Sequence, residues 1–403
     1  MYISDARDHG IQVYLPDVNK SLNSFTIEER AIRFGFSAIK NVGEAAVDAI
    51  IEEREKNGEF KSLIDFTSRM TQSKVNSRAI EFLIKSGAFD FTGTNRGLLL
   101  AMLPHALKEG EKAAKDKDSG QLNLFAAFGG AEEEHTPGMT DEDLLKLVDK
   151  NEALDIFDSL ALEREVLGIY LSNHPARFFM KDINNLGTAS IRGILEEFED
   201  GKRFYGQRGV DTWVAGIITT EIKPVKSRDG KDYYLKGILE SDDSSVEFSI
   251  NRIENPLGNP DVAKLASKVP LFFKVKPRAV INKEDESLEK VIFSIDNLKN
   301  DVLTIDRFVL YSKTQNSGFE PVLVYECTVD EFRKNSENLK KILSSGSVSA
   351  TDMKIQLKIN SENGSDYAVL EKNASIDLSE LAKYKAILGY DKIYLSLFYK
   401  TSL

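Results

Sequence analysis

Cysteine is almost missing from this 403-residue chain: the single Cys327 excludes an internal disulfide and any multi-cysteine zinc cluster. Histidine is nearly as scarce, and His9, His105, His135 and His174 are too scattered for a His-rich metal site. No apolar run approaches the roughly 18 residues of a membrane span. The start, Met1-Tyr-Ile-Ser-Asp-Ala-Arg-Asp, has neither a basic n-region nor an apolar h-region, which predicts a cytoplasmic chain that is not exported. There is no P-loop and no nucleophile elbow. Of the carboxylate groups, Asp141-Glu142-Asp143 reads as a helix N-terminus, where acidic residues complement the dipole, and Asp242-Asp243 as a turn. Neither sits on a strand with partners to hold two magnesium ions for phosphoryl chemistry. An excess of basic charge is lacking as well, since the net charge is -11.

The distribution of that charge matters more than its sum. Twelve acidic residues against three basic ones fall between Ala131 and Glu165, so the rest of the chain is close to neutral. Between Ile32 and Leu100 there are ten basic and nine acidic residues, and between Trp213 and Lys236 five basic and three acidic. Local basic faces therefore remain available, with salt-sensitive and moderate DNA affinity as the expectation. The length predicts several domains, and the pattern divides them. Residues 1–30 contain a short extended run from Gly10 to Asn19 closed by Pro16, and read as the end of something longer. Residues 31–105 are helical: Val42, Ala46 and Ile50 recur at four-residue spacing, Val47 and Ile51 repeat it one step round, and a second stretch covers Arg78–Ile84. Residues 106–140 are a linker, with a charged run, Gly129-Gly130 and Pro137-Gly138. Residues 141–205 form an acidic helical connector broken at Ser172-Asn-His-Pro175. In residues 206–300 the period switches to two, with strands expected at Trp213–Ile222, Tyr233–Glu240, Ser245–Ile250, Leu271–Val280 and Val291–Ile295 and a short helix over Asp261–Ser267. Five strands with a helix between the third and fourth is the order of the OB-fold, a barrel that commonly binds oligonucleotides. Residues 301–403 mix strands and helices, and Met353, Ile355, Leu357 and Ile359 alternate with polar residues as in a half-buried strand. The fold class is thus multidomain α+β: a tandem helix-hairpin-helix domain, a five-stranded OB-fold barrel and a small α/β C-terminal domain.

Three motifs bear on function, each with an ordinary alternative. Ile39-Lys40-Asn41-Val42-Gly43-Glu44 has the form of a helix-hairpin-helix turn, whose backbone N–H groups at a helix N-terminus meet a DNA phosphate. Asn41 stands where such turns usually carry a first glycine, and Asn tolerates a left-handed backbone. Leu83-Ile84-Lys85-Ser86-Gly87-Ala88 would be the second element of a pair that straddles a duplex. The alternative for both is a glycine-containing corner between helices with no ligand. Gln121-Leu122-Asn123-Leu124-Phe125 is an apolar island in the linker, and exposed apolar anchors there suit a partner pocket. Its alternative is a loop tucked against a neighbouring helix. Around the turn Ser227–Gly230, the residues Lys223, Lys226, Arg228 and Lys231, with Tyr233, Tyr234 and Lys236 after them, have the basic and aromatic mixture of a single-strand groove, although lysines on a hairpin also make a solvated face.

Together, Gly10–Ser21, Phe34–Arg54, Phe60–Met70, Ser86–Asp90, Gln121–Phe125 and Glu163-Arg-Glu-Val-Leu-Gly-Ile-Tyr-Leu-Ser-Asn-His-Pro175 resemble, in order, the C-terminal half of the bacterial replicative DNA polymerase III alpha subunit, a C-family polymerase. The resemblance covers nearly the whole chain and is least distinctive after about Leu303. It implies that Lys40, Asn41, Val42, Gly43 and Glu44, with Lys85, Ser86, Gly87 and Ala88, hold duplex DNA. It implies that Gln121, Leu122, Leu124 and Phe125 bind the sliding clamp. The barrel would follow single-stranded template, and the last domain would dock on the tau subunit of the clamp loader and so join the rest of the holoenzyme. The family's catalytic aspartates, and the magnesium they hold, lie in a palm domain upstream of everything in this chain. The expectation is therefore a C-terminal fragment without catalytic residues or cofactor, inactive alone in nucleotide transfer. Two other readings stay open: a self-contained helix-hairpin-helix repair enzyme such as a nuclease, and a clamp-binding scaffold that does not touch DNA.

Overall fold

The computed structural model describes residues 6, 9–118, 139–200, 211–220, 222–227, 230–253, 256, 258–267, 269–284, 287–315, 319–344, 350–360 and 367–399. Gln121–Phe125 and Arg228 lie outside the described residues. The chain forms two compact units, Met1–Asn173 and His174–Leu403.

The first unit begins with a small sheet of β1 (Gln12–Tyr14), β2 (Thr26–Glu28) and β3 (Ala31–Arg33), in which β3 lies between the other two, parallel to β1 and antiparallel to β2. Helices α1 (Glu44–Asn57), α2 (Leu63–Met70), α3 (Ser77–Lys85) and α4 (Arg96–Asp118) follow, then α5 (Asp141–Leu147) and α6 (Ile156–Leu167). The four-residue spacing read in the sequence is what α1 buries, since Ala46, Val47 and Ile50 enter the core. Side-chain caps fix the starts of the next two helices: Ser62 accepts from the Asp65 N–H at 3.0 Å and Asn76 from the Ala79 N–H at 2.8 Å. Asp141 and Asp143 do stand at a helix N-terminus, with Thr140 and Asp143 capping each other's backbone. The Asp141 carboxylate also accepts from the N–H groups of Leu63 and Ile64, at 2.9 and 3.0 Å, and so caps α2 as well. Phe60, Phe66 and Phe89 pack ring against ring, with centroids 4.7 and 5.0 Å apart. Leu144 of α5 and Val166 of α6 belong to the same apolar cluster as α1 to α4, which ties these acidic helices to the helical core.

The second unit opens with α7 (Met180–Asn185) and α8 (Ile191–Glu199), followed by β4 (Thr212–Ile218), β5 (Lys223–Lys226), β6 (Tyr233–Glu240), β7 (Ser245–Ile253), α9 (Pro260–Ala263), β8 (Leu271–Ile281), β9 (Leu288–Ile295), α10 (Leu298–Asp301) and β10 (Val302–Leu303). Strict alternation shows in β7, where Val246, Phe248 and Ile250 are buried and the residues between them are not. The pairings run β4–β6–β7–β9–β8 and return from β8 to β4; all are antiparallel except β7 with β9. Ile191, Ile194 and Phe198 of α8 join the apolar cluster of these strands. The five strands and the intervening helix stand within a few residues of where the sequence pattern placed them. Trp213, Phe272, Phe308 and Tyr311 then clamp α11 (Ile305–Gln315) to β4 and β8, with the Phe272 and Phe308 rings stacked at 4.1 Å.

Beyond α11 lies a four-stranded sheet in the order β13 (Tyr367–Ile376), β12 (Thr351–Asn360), β11 (Phe319–Thr328), β14 (Ile393–Tyr399). The helix α12 (Val329–Ser344) crosses between β11 and β12, so these two strands are parallel. The last helix, α13 (Leu381–Leu388), precedes β14. Its Lys385 is wholly buried and pairs with the equally buried Asp182 of α7 at 2.7 Å. Among the described residues no helix is long and apolar enough to cross a membrane.

Candidate nucleic-acid interface

The turn before α1 has the backbone a phosphate cradle requires. Asn41 adopts φ +60°, the left-handed conformation the sequence assigned to it. Gly43 is the N-cap of α1 and makes no side-chain cap. Lys40, Asn41, Gly43 and Glu44 are exposed, whereas Val42 is buried and anchors the turn to the core. The Asn41, Gly43 and Glu44 N–H groups find no acceptor among the described residues, and they stand at the positive end of a 14-residue helix. A Cβ added at Gly43 would meet nothing within 4 Å, so the space beside that residue is open.

The second element is built differently. Ser86, Gly87 and Ala88 follow the C-terminus of α3, with Gly87 at φ +88°. Their N–H groups donate to the carbonyls of Phe82, Ile84 and Leu83, at 3.0 Å each, which closes the helix end and leaves none of the three amides for a ligand. Ser86 and Ala88 are also fully buried. What this element presents is the Lys85 side chain. Gly87 is obligatory for another reason: an added Cβ would collide with the Arg96 guanidinium and come within 2.9 Å of the Asp90 carboxylate. Gly87→Ala is expected to lower the unfolding free energy of the first unit by roughly 2 kcal/mol, from the positive φ and the displaced ion pair together, as read in a denaturant titration. A loss below about 0.5 kcal/mol would show that Arg96 moves aside freely.

Lys40 and Lys85, assigned to separate hairpins, converge on one residue. The Lys40 ammonium donates to the Glu165 carbonyl at 2.6 Å and the Lys85 ammonium to the Glu165 carboxylate at 3.1 Å. The Lys40 backbone N–H donates to the Val166 carbonyl at 3.1 Å, stitching the turn to the end of α6. Lys85 meets Glu81 as well, at 2.8 Å. Burial pushes the Lys85 ammonium down, but Glu81 and Glu165 outweigh it and hold its pKa above the ordinary lysine value. Beneath this surface Arg96 grips Asp90 through two hydrogen bonds, at 2.9 and 2.6 Å, and lies 3.6 Å from the buried Glu163. The Glu163 carboxylate accepts from the N–H groups of Leu171 and Ser172 and from the Ser172 hydroxyl. Residue-by-residue reading gave no role to Glu163, Glu165, Asp90 or Arg96. The partners of Glu165 are 125 and 80 residues away, too far along the chain for any local spacing to reveal.

In the second unit the basic and aromatic set is split. Tyr233 lies opposite Lys226 in the β5–β6 ladder, while Lys236 is an odd number of residues away and projects from the other face of β6, beside Tyr234, whose ring its ammonium approaches to 5.4 Å. Lys226, Lys231 and Lys236 are exposed and Tyr233 is half-buried. One strand pair thus offers a cation and an aromatic ring on each face rather than one continuous stripe.

Residues 10–99 match a family described as Helix-hairpin-helix motif. The chain is similar to the DNA polymerase III subunit alpha of Thermus aquaticus, 45% identical over 174 residues, which is 43% of this chain and 13% of that protein. It is 34% identical to the subunit of the same name from Aquifex aeolicus over 332 residues, 75% of this chain and 26% of that protein. The likeness to the Borreliella burgdorferi subunit is lower, 27% identical, but takes in 85% of this chain and 29% of that protein. The chain therefore spans less than a third of the length of each of these relatives.

Proposed function

On the premise that the chain resembles the DNA polymerase III alpha subunits along most of its length, we propose that it is the C-terminal part of a replicative DNA polymerase. It holds duplex DNA and tethers the enzyme to the sliding clamp and clamp loader, while the catalytic aspartates and their magnesium reside elsewhere in a longer protein. The observation that carries the reading is the turn Lys40–Glu44, where three unspent N–H groups stand at the exposed N-terminus of α1, within residues that match the helix-hairpin-helix family. Unspent N–H groups at a helix N-terminus are the usual seat of a phosphate oxygen. The Lys40 ammonium supplies nearby positive charge, and the closed helix end at Ser86–Ala88 serves as scaffold.

The pairing circuit of β4, β6, β7, β9 and β8, with its parallel β7–β9 contact and the helix between β7 and β8, supports reading residues 206–300 as an OB-fold barrel. We assign single-strand contact to its β5–β6 edge, through Lys226, Arg228, Lys231, Tyr233 and Lys236. The sliding clamp is the proposed partner of Gln121, Leu122, Leu124 and Phe125, and the tau subunit that of the sheet formed by β11 to β14. A cytoplasmic location follows from the same reading.

Fluorescence anisotropy with labelled duplex and single-stranded DNA at two salt concentrations tests it. Duplex affinity is expected to fall with salt, with a slope of about -0.9 for each phosphate neutralised. Gly43→Asp isolates the turn: the position has φ -81° and open space for a side chain, and Asp is a favoured N-cap, so stability is kept. Its carboxylate would stand where the phosphate belongs and is expected to weaken duplex binding roughly tenfold. Salt-independent binding, or magnesium-dependent cleavage of DNA by the chain alone, would overturn the proposal.

A further inference from the structure

A lysine held between two carboxylates is a poor phosphate ligand, and Lys85 is so held. Its ammonium lies 2.8 Å from Glu81 and 3.1 Å from Glu165. The three side chains together carry one net negative charge, although counting along the chain scores Lys85 as part of a basic face. They line an open cleft of about 560 Å³ with Arg78 and Phe82, so the group is accessible to a second molecule. The Glu165 carbonyl meanwhile holds Lys40, the lysine of the phosphate-binding turn. Lys40 and Lys85 are thus both engaged by one residue of α6.

We propose that Glu165, assisted by Glu81, limits the grip of the Lys40–Glu44 turn on duplex DNA by withholding the Lys85 ammonium from phosphate. This rests on the reading that the turn receives a phosphate. The physical consequence is a contact of moderate strength that releases readily, which suits a protein that advances along a duplex. Surface ion pairs exchange partners at little cost. Neutralising Glu165 therefore weakens the competition for Lys85 and lets it neutralise one further phosphate.

The test compares Glu165→Gln with the unmodified chain in duplex-binding titrations between 50 and 200 mM salt. Glu165 is half exposed, and the substitution keeps the carbonyl that holds Lys40, so the unfolding midpoint is expected to be unchanged. Glu81→Gln provides a second route to the same effect. One added phosphate contact makes the salt slope steeper by about 0.9, so the variant should bind more tightly, with an advantage about threefold larger at the low salt than at the high salt. Glu55→Gln, at the opposite end of α1 from the turn, removes the same charge and controls for net charge alone. If the unmodified chain shows no salt-dependent duplex binding, or Gly43→Asp leaves it unaltered, the reading of the turn itself fails and the role of Glu165 falls with it. If the chain binds and responds to Gly43→Asp, three results overturn the role of Glu165 alone: an unchanged salt slope, an effect equal to that of Glu55→Gln, or weaker binding.

Discussion

Lys385→Met is expected to lower the unfolding free energy of the second unit by roughly 3–5 kcal/mol, the usual result of removing one member of a buried ion pair. The Lys385 ammonium pairs with Asp182 at 2.7 Å, donates to the Ile393 carbonyl at 2.7 Å and the Tyr390 carbonyl at 3.3 Å, and lies 5.4 Å from the centre of the Phe179 ring. The other Asp182 oxygen accepts from the Leu395 N–H at 2.7 Å. Without Lys385 a carboxylate is left in the interior with one backbone donor, and desolvation of that charge dominates the cost. Burial already pushes the Asp182 carboxyl upward against the pull of Lys385, and pushes the Lys385 ammonium downward. In the variant the upward push on Asp182 loses its main opponent, and the Leu395 N–H remains to hold the carboxylate. A carboxyl whose folded pKa exceeds its unfolded value favours the folded state below the unfolded pKa and loses that favour as pH rises through the folded one. The deficit of Lys385→Met relative to the unmodified chain should therefore narrow as pH falls from neutrality toward the ordinary aspartate range. The double variant Asp182→Leu/Lys385→Met is expected to recover most of the loss. The only tryptophan, Trp213, lies in this unit, packed on Phe308 and Tyr311, so its fluorescence in a denaturant titration reads the transition directly. A loss under about 1 kcal/mol would mean that water or a nearby polar group satisfies Asp182 without Lys385.

Replacing Leu124 and Phe125 by Ala is expected to abolish measurable binding to the sliding clamp while leaving duplex binding intact. Apolar anchors that fill a pocket each contribute about 2 kcal/mol or more, so each loss weakens affinity roughly thirtyfold. Gln121→Ala, which removes only a register-fixing polar contact, should have the smaller effect. The two leucines and the phenylalanine stand in a stretch whose other residues are mainly charged, glycine or small, which is why they read as docking anchors rather than core. In a polymerase already seated on DNA, such a peptide acts at high effective concentration, and its loss should shorten processive synthesis far more than it slows single additions. Clamp affinity that stays within twofold in the double variant, measured by surface plasmon resonance, would remove the pentapeptide from the proposed function.

Much of the fold could be read along the chain. Strand period two is clearest in β7 and β9, which bury one face so that every second residue is apolar, whereas β4 and β8 bury consecutive residues for part of their length. Asn41 could be read as a left-handed residue because few side chains tolerate that backbone. Leu83–Ala88 shows where such reading stops. Its glycine and small residues suit both a phosphate-binding turn and a helix end, and only the destination of the three N–H groups distinguishes them. Lys226, Tyr233 and Lys236 likewise look like one surface until strand pairing divides them between two faces.

Local patterns of apolar, glycine and capping residues thus determined the elements of this protein, and its matching blocks determined its relatives, because both depend on neighbours in sequence. The tertiary structure alone decided how charge is used. Glu165 is 125 residues from Lys40 and 80 from Lys85, and Asp182 is about two hundred from Lys385. Electrostatic partners are chosen by distance in space and by the water excluded around them, and neither quantity is written in the order of the residues.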